Sequence, residues 1–160
     1  MRFLDIINEI KSRFNQLGFT LDKAEDLGMH KYAKFSCKDY GLDFYYDRGG
    51  IELVIIFDDQ ILRDVIGLAN WLKNAEKKYQ YPPLTKTNDE EKIKYLTMVL
   101  EEEFELVNNF LIHATDVQLS MYKDNQKFEG AKYWKKIFEE KNKPVPKSIL
   151  ETLKTSPNNG

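Results

Sequence analysis

The chain has 160 residues, 42% of them hydrophobic, and its 24 lysines and arginines against 26 aspartates and glutamates leave a formal net charge of −2. That length favours one domain with a real core, and so balanced a charge excludes a global field that would draw the chain onto nucleic acid or an anionic membrane. Cys37 is the single cysteine, which excludes an intrachain disulfide and a thiolate zinc cluster and suits a reducing compartment, so the expected location is the cytoplasm.

The N-terminal MRFLDIINEIKSRF mixes charges with apolar residues, unlike the unbroken apolar core of a signal peptide, and no run elsewhere has the length of a membrane span. Phe3, Leu4, Ile6, Ile7, Ile10, Phe14 and Leu17 recur at helical spacing up to Gly18, which predicts a first helix over residues 2 to 17. The next stretch, FTLDKAEDLGMH, reads as a connector that can hold an edge strand.

The segment KFSCKDYGLDFYYDRGGIELVIIFDD reads as a three-stranded antiparallel meander. Leu42, Phe44 and Tyr46 alternate with Asp43, Tyr45 and Asp47, and Ile51, Leu53, Ile55 and Phe57 alternate with Glu52, Val54 and Ile56, so each strand has an apolar face and a mixed one. A two-residue connection at Arg48-Gly49 or at Gly49-Gly50 preserves this parity. In the first hairpin an even loop, Tyr40-Gly41 or Lys38 to Gly41, keeps Ala33, Phe35 and Cys37 on the face of Phe44 and Tyr46, whereas a three-residue loop would not. Cys37 then reads as a small core residue.

Asp59 reads as the N-cap of a second helix through Ile61, Leu62, Val65, Leu68, Ala69 and Leu72 that runs to about Tyr79, ahead of Pro82-Pro83. Asn88 caps a long third helix, about 89 to 112, along Ile93, Leu96, Val99, Leu100, Phe104, Val107, Phe110 and Leu111. Thr115 to Asn142 predicts two further helical pieces, interrupted near Asp124-Asn125 and Gly130, and Lys147 to Leu153 forms one or two turns after Pro144 and Pro146. The expected fold is α+β: an N-terminal helix, a three- to four-stranded antiparallel meander and a helical C-terminal half. One domain is expected over 1–155, with a flexible tail at 156–160.

No residue set has the spacing of a catalytic or metal site. A carboxylate metal centre in a helical bundle needs a Glu-x-x-His pair, and neither His30 nor His113 has a glutamate three residues before it. Two histidines and one cysteine offer few combinations of a base held near a nucleophile, and Arg48-Gly49-Gly50 joins two strands rather than cradling a phosphate before a helix. The chain is therefore expected to be no enzyme, with no cofactor and no metal.

Residues Phe35, Ser36, Leu42, Phe44, Tyr46, Asp47, Arg48, Gly49, Val54 and Ile56, in a strand and hairpin between an N-terminal helix and a helical C-terminal half, resemble the small α+β immunity proteins of bacterial polymorphic toxin and contact-dependent inhibition systems. The resemblance implies a cytoplasmic, non-enzymatic antidote that binds one cognate protein toxin and blocks its active site or an essential surface. Two patches have the aromatic and acidic character such binding uses: Asp43, Tyr45, Asp47, Arg48 and Glu52 on the mixed sheet face, and Glu101, Glu102 and Glu105 on the third helix. No nucleic acid and no membrane are expected as partners, and a homo-oligomer is compatible with the chain. The alternative is a non-enzymatic regulatory or scaffold module that dimerises through the long helix.

Overall fold

Phe3, Ile6, Ile7, Ile10 and Phe14 are all buried along one stripe of α1 (Phe3–Gln16), the first element of the computed structural model, which describes residues 2–47, 50–73, 79–81 and 88–154, with the backbone alone at Asp47 and Arg63. The helix stops where its sequence says it should. Gly18 takes a φ of 96°, its N–H donates to the Asn15 carbonyl, and the Phe19 N–H donates to the Phe14 carbonyl. This is a Schellman closure, sealed by the edge-on contact of the Phe14 and Phe19 rings.

The chain forms two compact units, 1–113 and 114–160. In the first, α1 leads into a five-stranded antiparallel sheet in sequence order: β1 (Thr20–Asp26), β2 (His30–Ser36), β3 (Gly41–Asp47), β4 (Gly50–Phe57) and β5 (Gln60–Asp64). Two helices follow, α2 (Val65–Leu72) and α3 (Asp89–His113). The second unit consists of α4 (Asp116–Glu140) and α5 (Lys147–Lys154). The expected α+β class and element order are present. The meander is longer than expected, because the connector supplies β1 and the start of the expected second helix supplies β5.

Register follows the parity of the apolar residues. Phe35 pairs with Leu42, and Ala33 with Phe44; Leu42 pairs with Ile55, Phe44 with Leu53 and Tyr46 with Ile51. The first hairpin loop is even, but it comprises Cys37 to Tyr40, since Ser36 pairs with Gly41. Cys37 therefore leaves the strand: its N–H and its Sγ both point to the Tyr40 carbonyl, at 3.0 and 3.5 Å, and the core position expected for it goes to Tyr40. Asp47 pairs with Gly50, which is the register of a connection at Arg48-Gly49.

Asp59, which follows Asp58, was expected to cap a helix. The two instead form a two-residue β-hairpin between Phe57 and Gln60, with φ of 54° and 59°, the double left-handed geometry of a type I′ turn that Asp tolerates better than most residues. The N-cap of α2 is Asp64, whose carboxylate accepts the Gly67 N–H at 2.6 Å. Helix α2 is Val65–Leu72, and the expected continuation over 74–78 lies outside the described residues. Asn88 does cap α3, accepting the Glu91 N–H at 2.8 Å.

In the core of the first unit, Phe14 of α1 meets Phe35 and Phe44 of the sheet, with ring centroids 4.2 and 5.6 Å away, and Phe104 of α3 meets Phe19 at 6.0 Å. Tyr40 ties the first hairpin loop to α3 by donating to the Asn108 side chain at 2.8 Å, and burial pushes its own pKa up.

In the second unit, Asp124, Asn125 and Gly130 do not interrupt the helix: α4 runs through them for 25 residues. A capping box between Thr115 and Gln118 starts it, and local propensity at one glycine costs only about 1 kcal/mol. The expected tail, 156–160, lies outside the described residues.

Candidate protein-docking face

Side chains alternate across a strand, so the register that buries Phe35, Leu42, Phe44, Leu53 and Ile55 sends Tyr32, Lys34, Asp43, Tyr45, Glu52, Val54 and Ile56 to the opposite, outer face. Of the expected sheet-face residues, Asp43, Tyr45 and Glu52 are thus brought together: Tyr45 lies opposite Glu52 on β4 and Tyr32 on β2, and Asp43 lies opposite Val54 and Lys34. Asp47 is placed by its backbone between His30 and Gly50, and Arg48 lies outside the described residues.

The middle of this face is aromatic. Tyr45 is 43% exposed, and the His30 ring stands 5.1 Å from it and 5.9 Å from Tyr32. Lys34 and Lys23 approach the Tyr32 ring at 5.6 and 6.0 Å, the range of a weak surface cation–π contact. Lys23 also pairs with Glu25 at 3.0 Å. The Tyr32 hydroxyl and then Lys23 hold the Glu25 carboxyl below its ordinary pKa, and Glu25 in turn raises that of Lys23.

Toward the loop end, an open depression of about 450 Å³ is lined by Asp22, Asp39, Asp43, Asp58 and Asp59 together with Lys34 and Lys38. Burial raises the Asp43 pKa, Lys34 opposes the shift and the charge of Asp22 adds to it. No group of three His, Cys, Asp or Glu side chains there or elsewhere among the described residues is placed to hold a metal ion. Its lining presents five carboxylates as hydrogen-bond acceptors beside two lysines.

The acidic helix is built differently. Glu101 accepts from the Arg13 guanidinium through both oxygens, with Nε to Oε2 at 3.1 Å, and this pair ties α3 to α1. It also pushes the Arg13 pKa further up. Glu102 accepts from the Tyr79 hydroxyl at 2.9 Å, and the buried Glu103 takes the same hydroxyl at 2.6 Å and Lys73 at 3.2 Å. Burial and these two carboxylates raise the Tyr79 pKa. Glu101 therefore braces α3 against α1, whereas Glu102 and Glu105 are both exposed, Glu102 sharing the Tyr79 hydroxyl with Glu103.

His30, Tyr32 and the acids Asp22, Asp39, Asp58 and Asp59 did not figure among the expected site residues. The signal for His30 and Tyr32 was available, since both share the parity of Tyr45 once β2 is extended back to His30. The depression was not legible, because it needs the Asp58-Asp59 hairpin to fold beside the Cys37 to Tyr40 loop. Among the described residues no helix is long and apolar enough to cross a membrane. Comparison with protein-family models, with curated proteins and with solved structures gives no match.

Proposed function

We propose that the chain is an immunity-type protein that binds a cognate protein toxin and neutralises it by covering its active site or an essential surface. The observation that carries this reading is the outer sheet face: aromatic side chains, half in solvent, stand on a sheet whose other face is locked in the core, with carboxylates around them. Rigid aromatic anchors ringed by charge are what a tight, non-catalytic interface requires, since little ordering entropy is lost on binding. The acids favour a partner with a basic surface. Compartment and partner identity belong to the same proposal, with the cytoplasm as the place of action.

Dimerisation through α3 has less support. The apolar stripe it would use, including Ile93, Leu96, Val99, Leu100, Val107 and Leu111, is buried. Co-purification with the product of the adjacent gene separates the two readings: a stable 1:1 heterocomplex supports the antidote, and a homodimer without such a partner sinks it. Charge reversal at Asp43 and Asp47 is expected to weaken that complex by more than about tenfold. Glu105→Lys serves as the matched control on the helix, because reversing Glu101 would also break its bond to Arg13.

A further inference from the structure

Met29 is 78% exposed and Leu27 63%, and Met29 is the most exposed large apolar side chain among the described residues. They flank Gly28 in the β1–β2 turn, where small and polar residues are the rule. The turn itself is well held. The Leu27 N–H donates to the His30 carbonyl at 2.9 Å, the Gly28 N–H donates to the Asp26 carboxylate at 3.0 Å, and Gly28 has a φ of 88°. A glycine at the first position of a two-residue connection is the sequence form of a type II′ hairpin, which matches the twist of its strands. Backbone and glycine suffice to make this turn, so neither Leu27 nor Met29 is needed for it.

The β1–β2 register, continued one step past the pair Asp26 and Lys31, sets Leu27 opposite His30 on the outer face. His30 in turn contacts Tyr45 and Tyr32. The apolar tip thus adjoins the aromatic stripe at His30. The nearby lysines are already engaged, Lys23 with Glu25 at 3.0 Å and Lys31 with Asp89 at 3.7 Å, while Asp26 is exposed beside the tip. The charge that borders the tip is negative.

We infer that the β1–β2 tip is the principal anchor of the docking face: Leu27 and Met29 enter an apolar pocket rimmed by Lys or Arg on the protein partner. This rests on the antidote reading and adds the chemistry of the partner's receiving site. Contiguous exposed apolar surface with a polar rim marks such contacts, a few buried anchors carry most of the affinity, and the flexible thioether of methionine adapts to a preformed cavity.

The test measures, by titration calorimetry, binding of the full chain to the product of the adjacent gene, purified as an inactive variant. Leu27→Ser combined with Met29→Ser is expected to weaken binding at least about hundredfold with the melting temperature unchanged, and Met29→Leu to stay within about threefold of wild type. Binding of the double variant within about threefold of wild type would overturn the anchor while leaving the antidote reading in place. A double variant that fails to fold would overturn it too, because the anchor requires these side chains to be idle in the fold. No binding by the wild-type chain would remove the antidote reading, and the anchor with it.

Discussion

The two faces of the sheet come from the same strands and meet opposite fates. The inner face is closed along its middle: Phe35, Leu42, Phe44, Leu53 and Ile55 are buried, and Phe14 of α1 sits against two of them. The outer face, one residue out of step, keeps Tyr45, Glu52 and Lys34 exposed, and Val54 and Asp64 are both covered at the β4–β5 corner. Stability resides on one side and, on the proposed reading, recognition on the other, so the parity of a position assigns a substitution to one role everywhere but at this covered corner.

The strongest way to break that division is at the inner face. Phe14→Ala removes a fully buried ring that touches Phe19, Phe35 and Phe44, and about 3–5 kcal/mol of stability should go with it in denaturant titration. A cost below about 1 kcal/mol would mean the core does not depend on this aromatic cluster.

The covered corner gives an intermediate case. Asp64 caps α2 and accepts the Tyr81 hydroxyl at 2.8 and 2.9 Å, so Asp64→Ala should destabilise by about 1–2 kcal/mol and lower the melting temperature. If stability is unchanged, this corner belongs with the open face.

The smallest effect is expected on the open face, at Asp43. Burial raises its pKa in the native state, so the ionised carboxylate disfavours the fold relative to the unfolded chain. That penalty is complete above the native pKa and absent below the ordinary aspartate pKa. Asp43→Asn should therefore slightly stabilise the protein at neutral pH, with the gain vanishing as pH falls through that window. An Asn variant less stable than wild type at neutral pH would show that Lys34 outweighs burial there.

How much of this was legible in the sequence depended on whether a residue type has one structural use or two. The inner face was readable because alternation of large apolar residues has a single explanation, and α1 and α3 were readable because a capping residue and a 3.6-residue stripe agreed. Asp59 was misread because Asp serves both helix caps and left-handed turns, and Ile61, Leu62 and Val65 happen to fit helical spacing while the first two belong to β5. In β1 a register irregularity between Leu21 and Lys23 hides the alternation. That Asp43, Tyr45 and Glu52 share the outer face followed from parity alone. The exposure of Leu27 and Met29 did not, because apolar residues in a sequence read as core until a structure leaves them in solvent.

Side-chain oxidative footprinting of the full chain, with and without the product of the adjacent gene, tests the central claim most directly. Met29 at the β1–β2 tip, Tyr32 and Tyr45 on the outer sheet face, and Met121, Tyr133 and Trp134 on α4 are readily oxidised types, and all but the half-buried Tyr32 are well exposed. Protection of Met29, Tyr32 and Tyr45 with no change at Met121, Tyr133 and Trp134 is the predicted result. Protection confined to α4, with Met29 and Tyr45 as reactive as in the free protein, would contradict it.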